Sequence, residues 1–220
     1  MDPKARYEKE RFAGKQQRLI DILAAAERVF TQKGIEKTTM QDIAKDANIG
    51  IATVFRYFPK KEKLIVAVAT NMLEPMLDAF RSIADMPVSC LEKLDRLFDF
   101  FISSLEERSN SSTKFMEDFD SYAAHSPEPL EDIAQFNELN RKISHEYARI
   151  IQDGIQDGSL RSDLPVRETL TTVVNTFGLF SRKLSLQQNI LMLESDLEPG
   201  HQLAILKKIL IEHLKRGSLD

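Results

Sequence analysis

The sequence predicts an all-α protein of about nine helices. Apolar residues recur at spacings of three and four through most of the chain. Breaks containing Gly, Pro, Ser or Asn separate these stretches. No segment alternates apolar and polar residues for long enough to make a strand, and no internal repeat is present. The 220 residues are 42% hydrophobic and 29% charged, an ordinary globular composition with enough chain to bury a core.

The first helix is expected over Gln17 to Lys33, where Leu19, Ile22, Leu23, Ala26, Val29 and Phe30 form one stripe and Gly34 supplies the stop. Thr39 opens a short helix from Met40 to Ala47, with Asp42 at a variant of the capping-box spacing. Asn48-Ile49-Gly50 reads as a turn, because Asn tolerates a left-handed backbone. Ile51 to Phe58 is a third short helix, stopped by Pro59. The helix from Lys60 to Ser82 contains Pro75, which removes a backbone donor and predicts a kink or a junction. Further helices are expected at about Ser89–Arg108, Ser112–Ala124, Glu128–Asp157, Val166–Leu193 and Pro199–Arg216. Their separators are Ser109-Asn110-Ser111, Ser126-Pro127, Gly158-Ser159 with Pro165, and Glu198-Pro199-Gly200.

Composition excludes several classes. Cys90 is the single cysteine, so neither an intrachain disulfide nor a Cys-based metal site can form, which fits a reducing compartment. The segment Met1 to Arg18 is charged and lacks the apolar run of a secretion signal. Leu64 to Ala69 is the purest apolar stretch and is far too short to span a bilayer. A cytoplasmic location is expected. His125, His145, His201 and His213 are scattered, with no pair at metal-ligand spacing. There is no Ser-centred elbow and no Gly-rich phosphate loop. No enzymatic activity, cofactor or metal is expected.

The net charge of −4 seems to argue against contact with a polyanion, but it hides a gradient. Residues 1–70 carry 14 basic and 9 acidic side chains, a net of +5, and the remaining 16 and 25 give −9. Such asymmetry points either to a basic head that meets a polyanion or to chance clustering of solvated charges. The helix, short helix, turn and short helix at this end form a helix-turn-helix pattern. Ala52 and Thr53 are small enough for the third helix to approach base edges, and Arg56 is a long donor suited to guanine. Thr39 and Tyr57 offer hydroxyls to phosphates, and Lys60, Lys61 and Lys63 form a candidate phosphate clamp. A three-helix start that is merely a folded bundle is the alternative.

Thr38-Thr39-Met-Gln-Asp-Ile-Ala44, Ala47-Asn-Ile49, Thr53-Val-Phe-Arg-Tyr-Phe-Pro59 and Lys61-Glu62-Lys-Leu64 resemble the tetracycline-repressor (TetR) family of transcriptional regulators, in order over residues 16–66. The resemblance implies that Thr39 holds a backbone phosphate. It also implies that Ile51, Ala52, Thr53, Phe55 and Arg56 face the groove, and that Tyr57 and Lys61 touch phosphates. Three positions depart from the family pattern. Asn48 replaces the usual Gly. Gly50 stands where a Ser or Thr often caps the recognition helix, which weakens that cap. Phe55 replaces Tyr and forgoes a phenolic contact; Ile51 and Phe55 either pack on thymine methyls or belong to the core. Lys4, Arg6, Lys9, Arg11 and Lys15 read as a basic arm or, because Glu8 and Glu10 interrupt the run, as a solvated disordered tail.

The chain is expected to divide into an N-terminal arm over 1–15, a three-helix helix-turn-helix DNA-binding domain over 16–64 and a domain of about six helices over 65–220, which the resemblance implies binds an effector and dimerises. The candidate effector-pocket residues are Phe98, Phe101, Phe115, Asp118, Phe119, Tyr122 and Phe177; each aromatic stripe among them reads as core or as cavity lining. If Asp118 faces inward it favours a cationic, apolar effector; otherwise it pairs with a neighbouring helix. Asn137, Asn140 and Asn175 are further inward polar candidates. Gly154 to Asp163 resembles the family's usual end of its seventh helix. The last two helices are apolar over too wide an arc for one buried face, which places Val173, Phe180, Leu206, Leu210 and Leu214 at a homodimer interface or, in a monomer, inside. The function implied is a ligand-responsive regulator, a repressor, that binds a palindromic DNA operator as a dimer and is released by a small effector. The alternative is a helical DNA-binding regulator controlled by a protein partner.

Overall fold

The computed structural model of the chain describes residues 2–107, 111–187 and 198–215. The expected separator at Ser109-Asn110, the expected end of the eighth helix over 188–193 and Arg216 lie outside these residues, as does the side chain of Lys4. The described residues form nine helices: α1 (Pro3–Lys33), α2 (Met40–Asp46), α3 (Ile51–Tyr57), α4 (Lys61–Ala84), α5 (Cys90–Glu107), α6 (Ser111–His125), α7 (Ile133–Gln156), α8 (Val166–Gln187) and α9 (Pro199–Leu214). Among the described residues the sole strand-like feature is an antiparallel bridge between Leu160 and Lys215.

Two expectations are corrected. Helix α1 starts at Pro3 instead of Gln17, so the N-terminal segment is helical and not a disordered tail. Pro3 occupies the first helical position, where its missing N–H costs nothing, and strong helix formers follow it. Arg6 and Glu10 add an i,i+4 pair at 2.9 Å. Helix α7 starts at Ile133 instead of Glu128, because Pro129 and the left-handed Asp132 (φ 66°) keep the lead-in open. Pro75 lies inside α4 without ending it.

The chain divides into two compact units, Met1–Met72 with Lys114–Phe136, and Leu73–Thr113 with Asn137–Asp220. The division falls inside α4, between Met72 and Leu73, more than two turns beyond the expected boundary after Leu64, and assigns α6 from Lys114 onward to the first unit. The first core is built on Ile22, Phe30, Ile43, Val54, Leu64 and Phe115. The second is built on Leu94, Phe98, Ile150, Leu170, Phe177 and Leu203.

In the second unit the start of α5 is locked by the end of α7. Ser89 and Glu92 form a capping box, with Ser89 N–H donating to Glu92 Oε2 at 3.1 Å and Glu92 N–H to Ser89 Oγ at 3.3 Å. The Cys90 amide donates to Asp157 Oδ2 at 2.6 Å, and the Leu91 amide to Ser159 Oγ at 3.4 Å. Buried Lys93 donates to the Ala84 carbonyl at 2.8 Å and pairs with Asp153 at 2.6 Å. Burial and the nearby Asp157 push the Cys90 thiol up to about 12, so it stays protonated and packs as an apolar group. A Cβ on Gly154 would meet Cys90 Sγ at 2.7 Å and Leu160 Cδ1 at 2.9 Å. Gly154→Ala is therefore expected to destabilise the fold by about 1–3 kcal/mol through overpacking, read as a lowered midpoint in urea.

Candidate nucleic-acid interface

Helix α2 begins with a full capping box. Thr39 is extended (φ −108°, ψ 157°), its Oγ1 accepts from the Asp42 amide at 3.1 Å, and its own amide donates to Asp42 Oδ2 at 3.0 Å. Lys33 Nζ reaches Asp42 Oδ1 at 2.5 Å and ties the end of α1 to α2. The loop between them is pinned from two sides. Thr38 Oγ1 donates to the Gly34 carbonyl at 2.8 Å, where Gly34 turns the chain at φ 80°. Lys61 Nζ donates to the carbonyls of Glu36 at 3.0 Å and Thr38 at 2.7 Å, and burial lowers its pKa from the ordinary lysine value.

The turn into α3 uses Asn48 at φ 52°, as its residue type suggests. Gly50 caps α3 through backbone alone, its carbonyl accepting from the Thr53 amide at 2.8 Å. Helix α3 then splits its side chains sharply. Val54 and Phe58 are buried, whereas Ala52 and Arg56 are exposed, as are Ile51 (36%) and Phe55 (43%). Thr53 and Tyr57 are half-buried at the margin. The Tyr57 hydroxyl donates to the Lys15 carbonyl at 3.3 Å, and the Arg56 guanidinium sits 5.8 Å from the centre of the Tyr57 ring. This gives a short helix with small, apolar and guanidinium groups on one open face, the form that enters a major groove.

The lysines after α3 are committed inside the chain. Lys60 pairs with Glu131, and Lys63 pairs with Asp132 at 2.9 Å and Glu131 at 3.6 Å. The hydrogen bond that Lys60 donates to Glu131, and that which Lys63 donates to Asp132, raise both lysine pKa values. Sequence density made Lys60, Lys61 and Lys63 a clamp for phosphate; in the folded chain they hold the reader to its own scaffold.

The effector candidates separate into two groups. Phe98, Phe101 and Phe177 belong to the second unit, where Phe98 stacks on Phe177 at 4.4 Å and Phe101 lies 5.9 Å from Phe177. Phe115 and Phe119 belong to the first, packed against Phe30 at 5.7 Å and Phe136 at 4.9 Å. Asp118 is exposed and shares an open cleft of about 520 Å³ with Tyr122, His125, Gly34 and Glu36. An exposed carboxylate has no desolvation to offset, so the reason for a cationic effector at Asp118 is absent. Asn137 and Asn175 are also exposed. Among the dimer candidates, Val173 and Leu214 are buried within the protomer, and Phe180, Leu206 and Leu210 are half-buried. The open apolar side of α8 and α9 is carried by Leu179 (67%), Ile205 (47%) and Ile209 (58%). Leu179 escaped sequence reasoning because it lies off the buried stripe of its helix.

Fold and reader together define a helix-turn-helix arrangement with one open helix face. Residues 22–68 match the model of the bacterial regulatory proteins of the tetR family. The transcriptional repressor KstR2 of Mycolicibacterium smegmatis is 28% identical over 149 residues, covering 66% of this chain and 69% of that protein. The fold is similar to that of the regulator FadR from Bacillus subtilis in complex with stearoyl-CoA. That structure has a TM-score of 0.68 and 16% identity, covering 89% of this chain and 99% of that one. The ketosteroid regulator KstR2 of Mycobacterium tuberculosis is similar at a TM-score of 0.62 and 20% identity, covering 89% and 94%.

Hydrogen bonds from Lys33 first, then from the Thr39 amide and hydroxyl, hold the Asp42 carboxyl far below the ordinary carboxylate range. A carboxyl whose pKa is depressed on folding stabilises above its unfolded value, about 3.9, and loses that contribution as pH falls below it. Asp42→Asn is expected to lower the melting temperature at neutral pH. The gap from the parent protein is expected to close as thermal scans descend below about pH 4.

Proposed function

We propose that this chain is a homodimeric, ligand-responsive transcriptional repressor that binds a palindromic operator. The observation that carries the reading is the division of α3: Val54 and Phe58 anchor it, and Ile51, Ala52, Phe55 and Arg56 stand free. Arg56 supplies bidentate bonds to a guanine edge, Ile51 and Phe55 meet thymine methyls, and Ala52 and Thr53 let the helix sit deep. Thr39, exposed at the start of α2, and Tyr57 lie beside the phosphates, and Gly50 allows close approach of the backbone. Lys61 acts by pinning the loop before α2. Two readers related by a two-fold axis match a two-fold DNA site. Leu179, Ile205 and Ile209, backed by Phe180, Leu206 and Leu210, form the pairing face, and Val173 and Leu214 support it from within.

The effector is apolar. Phe98, Phe101 and Phe177, with Phe80 and Tyr147 beside them, give the second unit an aromatic interior, with Phe80 6.4 Å from Phe101 and 6.2 Å from Tyr147. An acyl chain or a steroid suits such a lining, in keeping with the stearoyl-CoA complex of FadR and the ketosteroid regulator KstR2. Helix α4 contributes Leu64 to the first core and Phe80 to the second, so it links effector to reader. Linkage requires operator and effector to weaken each other's binding by the same factor.

Arg56→Ala is expected to cost about 1–3 kcal/mol of discrimination at one base pair in each half-site. Binding titrations on a duplex enriched by the protein from a random library, and on its single-base variants, check this. Unchanged preference removes Arg56 from the reader. Stearoyl-CoA and a 3-ketosteroid serve as effector probes, each tested for a rise in melting temperature and for release of that duplex. An effector that stabilises the protein and leaves operator affinity unchanged at fixed salt overturns the release mechanism.

A further inference from the structure

Helix α1 extends well beyond what the first core requires. Every side chain from Ala5 to Arg18 is exposed, and burial begins only at Leu19 and Ile22. The stretch Pro3–Arg18 is roughly 24 Å long at 1.5 Å per residue, and a helix of that length standing alone in water is marginal. At 100° per residue, Tyr7, Arg11, Gly14, Lys15 and Arg18 share one face, the one that Ile22 carries into the core. Lys9 lies on the opposite face, Glu8 at the margin, and Glu10 is paired with Arg6.

That basic face meets the recognition helix. Arg11, Lys15 and Arg18 line an open cleft of about 650 Å³ with Thr53, Arg56 and Tyr57. The Tyr57 hydroxyl braces α1 there, through its bond to the Lys15 carbonyl. No carboxylate lines the cleft. The neighbouring lysines of α4 are committed to carboxylates and carbonyls, and these four cations have no such partner among the described residues. Four uncompensated cations around one cleft make a site for a polyanion. A substitution adding a side chain at Gly14 would meet nothing within 4 Å, so the face is open to a broad partner.

We propose that the N-terminal stretch of α1 is a second DNA-contacting element, with Arg11, Lys15 and Arg18 gripping the sugar–phosphate backbone that flanks the half-site read by α3. The phosphate nearest the reader sits between Lys15 and Arg18, and Arg56 beside them stays on the guanine edge. The inference rests on the DNA-reading function proposed above. At 3.4 Å per base pair the helix covers about 7 base pairs of flank, and its contacts add affinity without adding sequence information.

The test uses the full-length protein and the duplex it enriches from a random library, in long form and trimmed to the half-sites. The triple variant Arg11→Gln/Lys15→Gln/Arg18→Gln is compared with Lys9→Gln, which changes charge on the opposite face. All four residues are exposed, and circular dichroism confirms that the variants fold. Trimming is expected to weaken the parent protein about tenfold or more and to leave the triple variant unaffected. The triple variant is expected to keep its base preference and to lose about 2–5 from the slope of log affinity against log salt. Lys9→Gln is expected to match the parent. A triple variant with the parent's slope and flank dependence overturns the inference and leaves the DNA-reading function standing. A Lys9→Gln effect on the slope equal to the triple variant's effect per charge removed also overturns it, because diffuse charge would then suffice. Failure to enrich any duplex removes the DNA-reading function itself, and the inference with it.

Discussion

The DNA reader depends on packing that two short helices cannot supply for themselves. Helices α2 and α3 have seven residues each, below the length at which a helix persists in water. They exist because Ile43, Ala44 and Val54 are buried against Ile22, Ala26, Val29 and Phe30 of α1 in one apolar core. Every residue that turns inward to make that core leaves its neighbours turned outward. The open face of α3 is thus a by-product of anchoring Val54 and Phe58. The small residues on it, Ala52 and Thr53, keep it from becoming a second hydrophobic surface that would seek protein instead of a groove.

The same logic governs charge. A positively charged region does not by itself locate a polyanion site, since a cation already satisfied within the fold has little left to offer. Lys33, Lys60, Lys61 and Lys63 are densest near the reader, yet each is committed to a carboxylate or carbonyl of its own chain. Their work is to fix the loop after α1 and the start of α4. Arg11, Lys15, Arg18 and Arg56 are fewer and more dispersed in sequence, and they remain uncommitted. Arginine suits that role, because its planar fork matches both phosphate and guanine.

Helix positions were legible in the sequence because periodicity and caps are local. Thr39 with Asp42, Asn48 in the left-handed region and Gly34 as a stop all behave as their residue types suggest. The helical N-terminus was misjudged because its residues have no buried stripe, and propensity with a Pro at the first position carried the outcome instead. Partnership was less legible than position. Asp118 shares a helix face with Phe115 and Tyr122, but a face is about 100° wide, and its edge is exposed while its centre is buried. The aromatic stripes of α5 and α6 look alike in sequence and serve two separate cores. Periodicity tells which residues are turned inward and carries no information on what they meet.

The acidic balance of the remaining chain has a physical consequence for the reader. Residues 71–220 carry a net charge of −9 against +5 on residues 1–70. Duplex DNA repels the first and attracts the second. Phosphate contact is sequence-blind and depends steeply on salt, whereas groove contact discriminates and depends on fit. Keeping the sequence-blind part confined to a few uncommitted cations limits how tightly the protein holds random DNA. In the proposed reading, the contribution of Arg56 and its neighbours on α3 then becomes a larger share of the total, which is the condition for finding one operator among many competing sites.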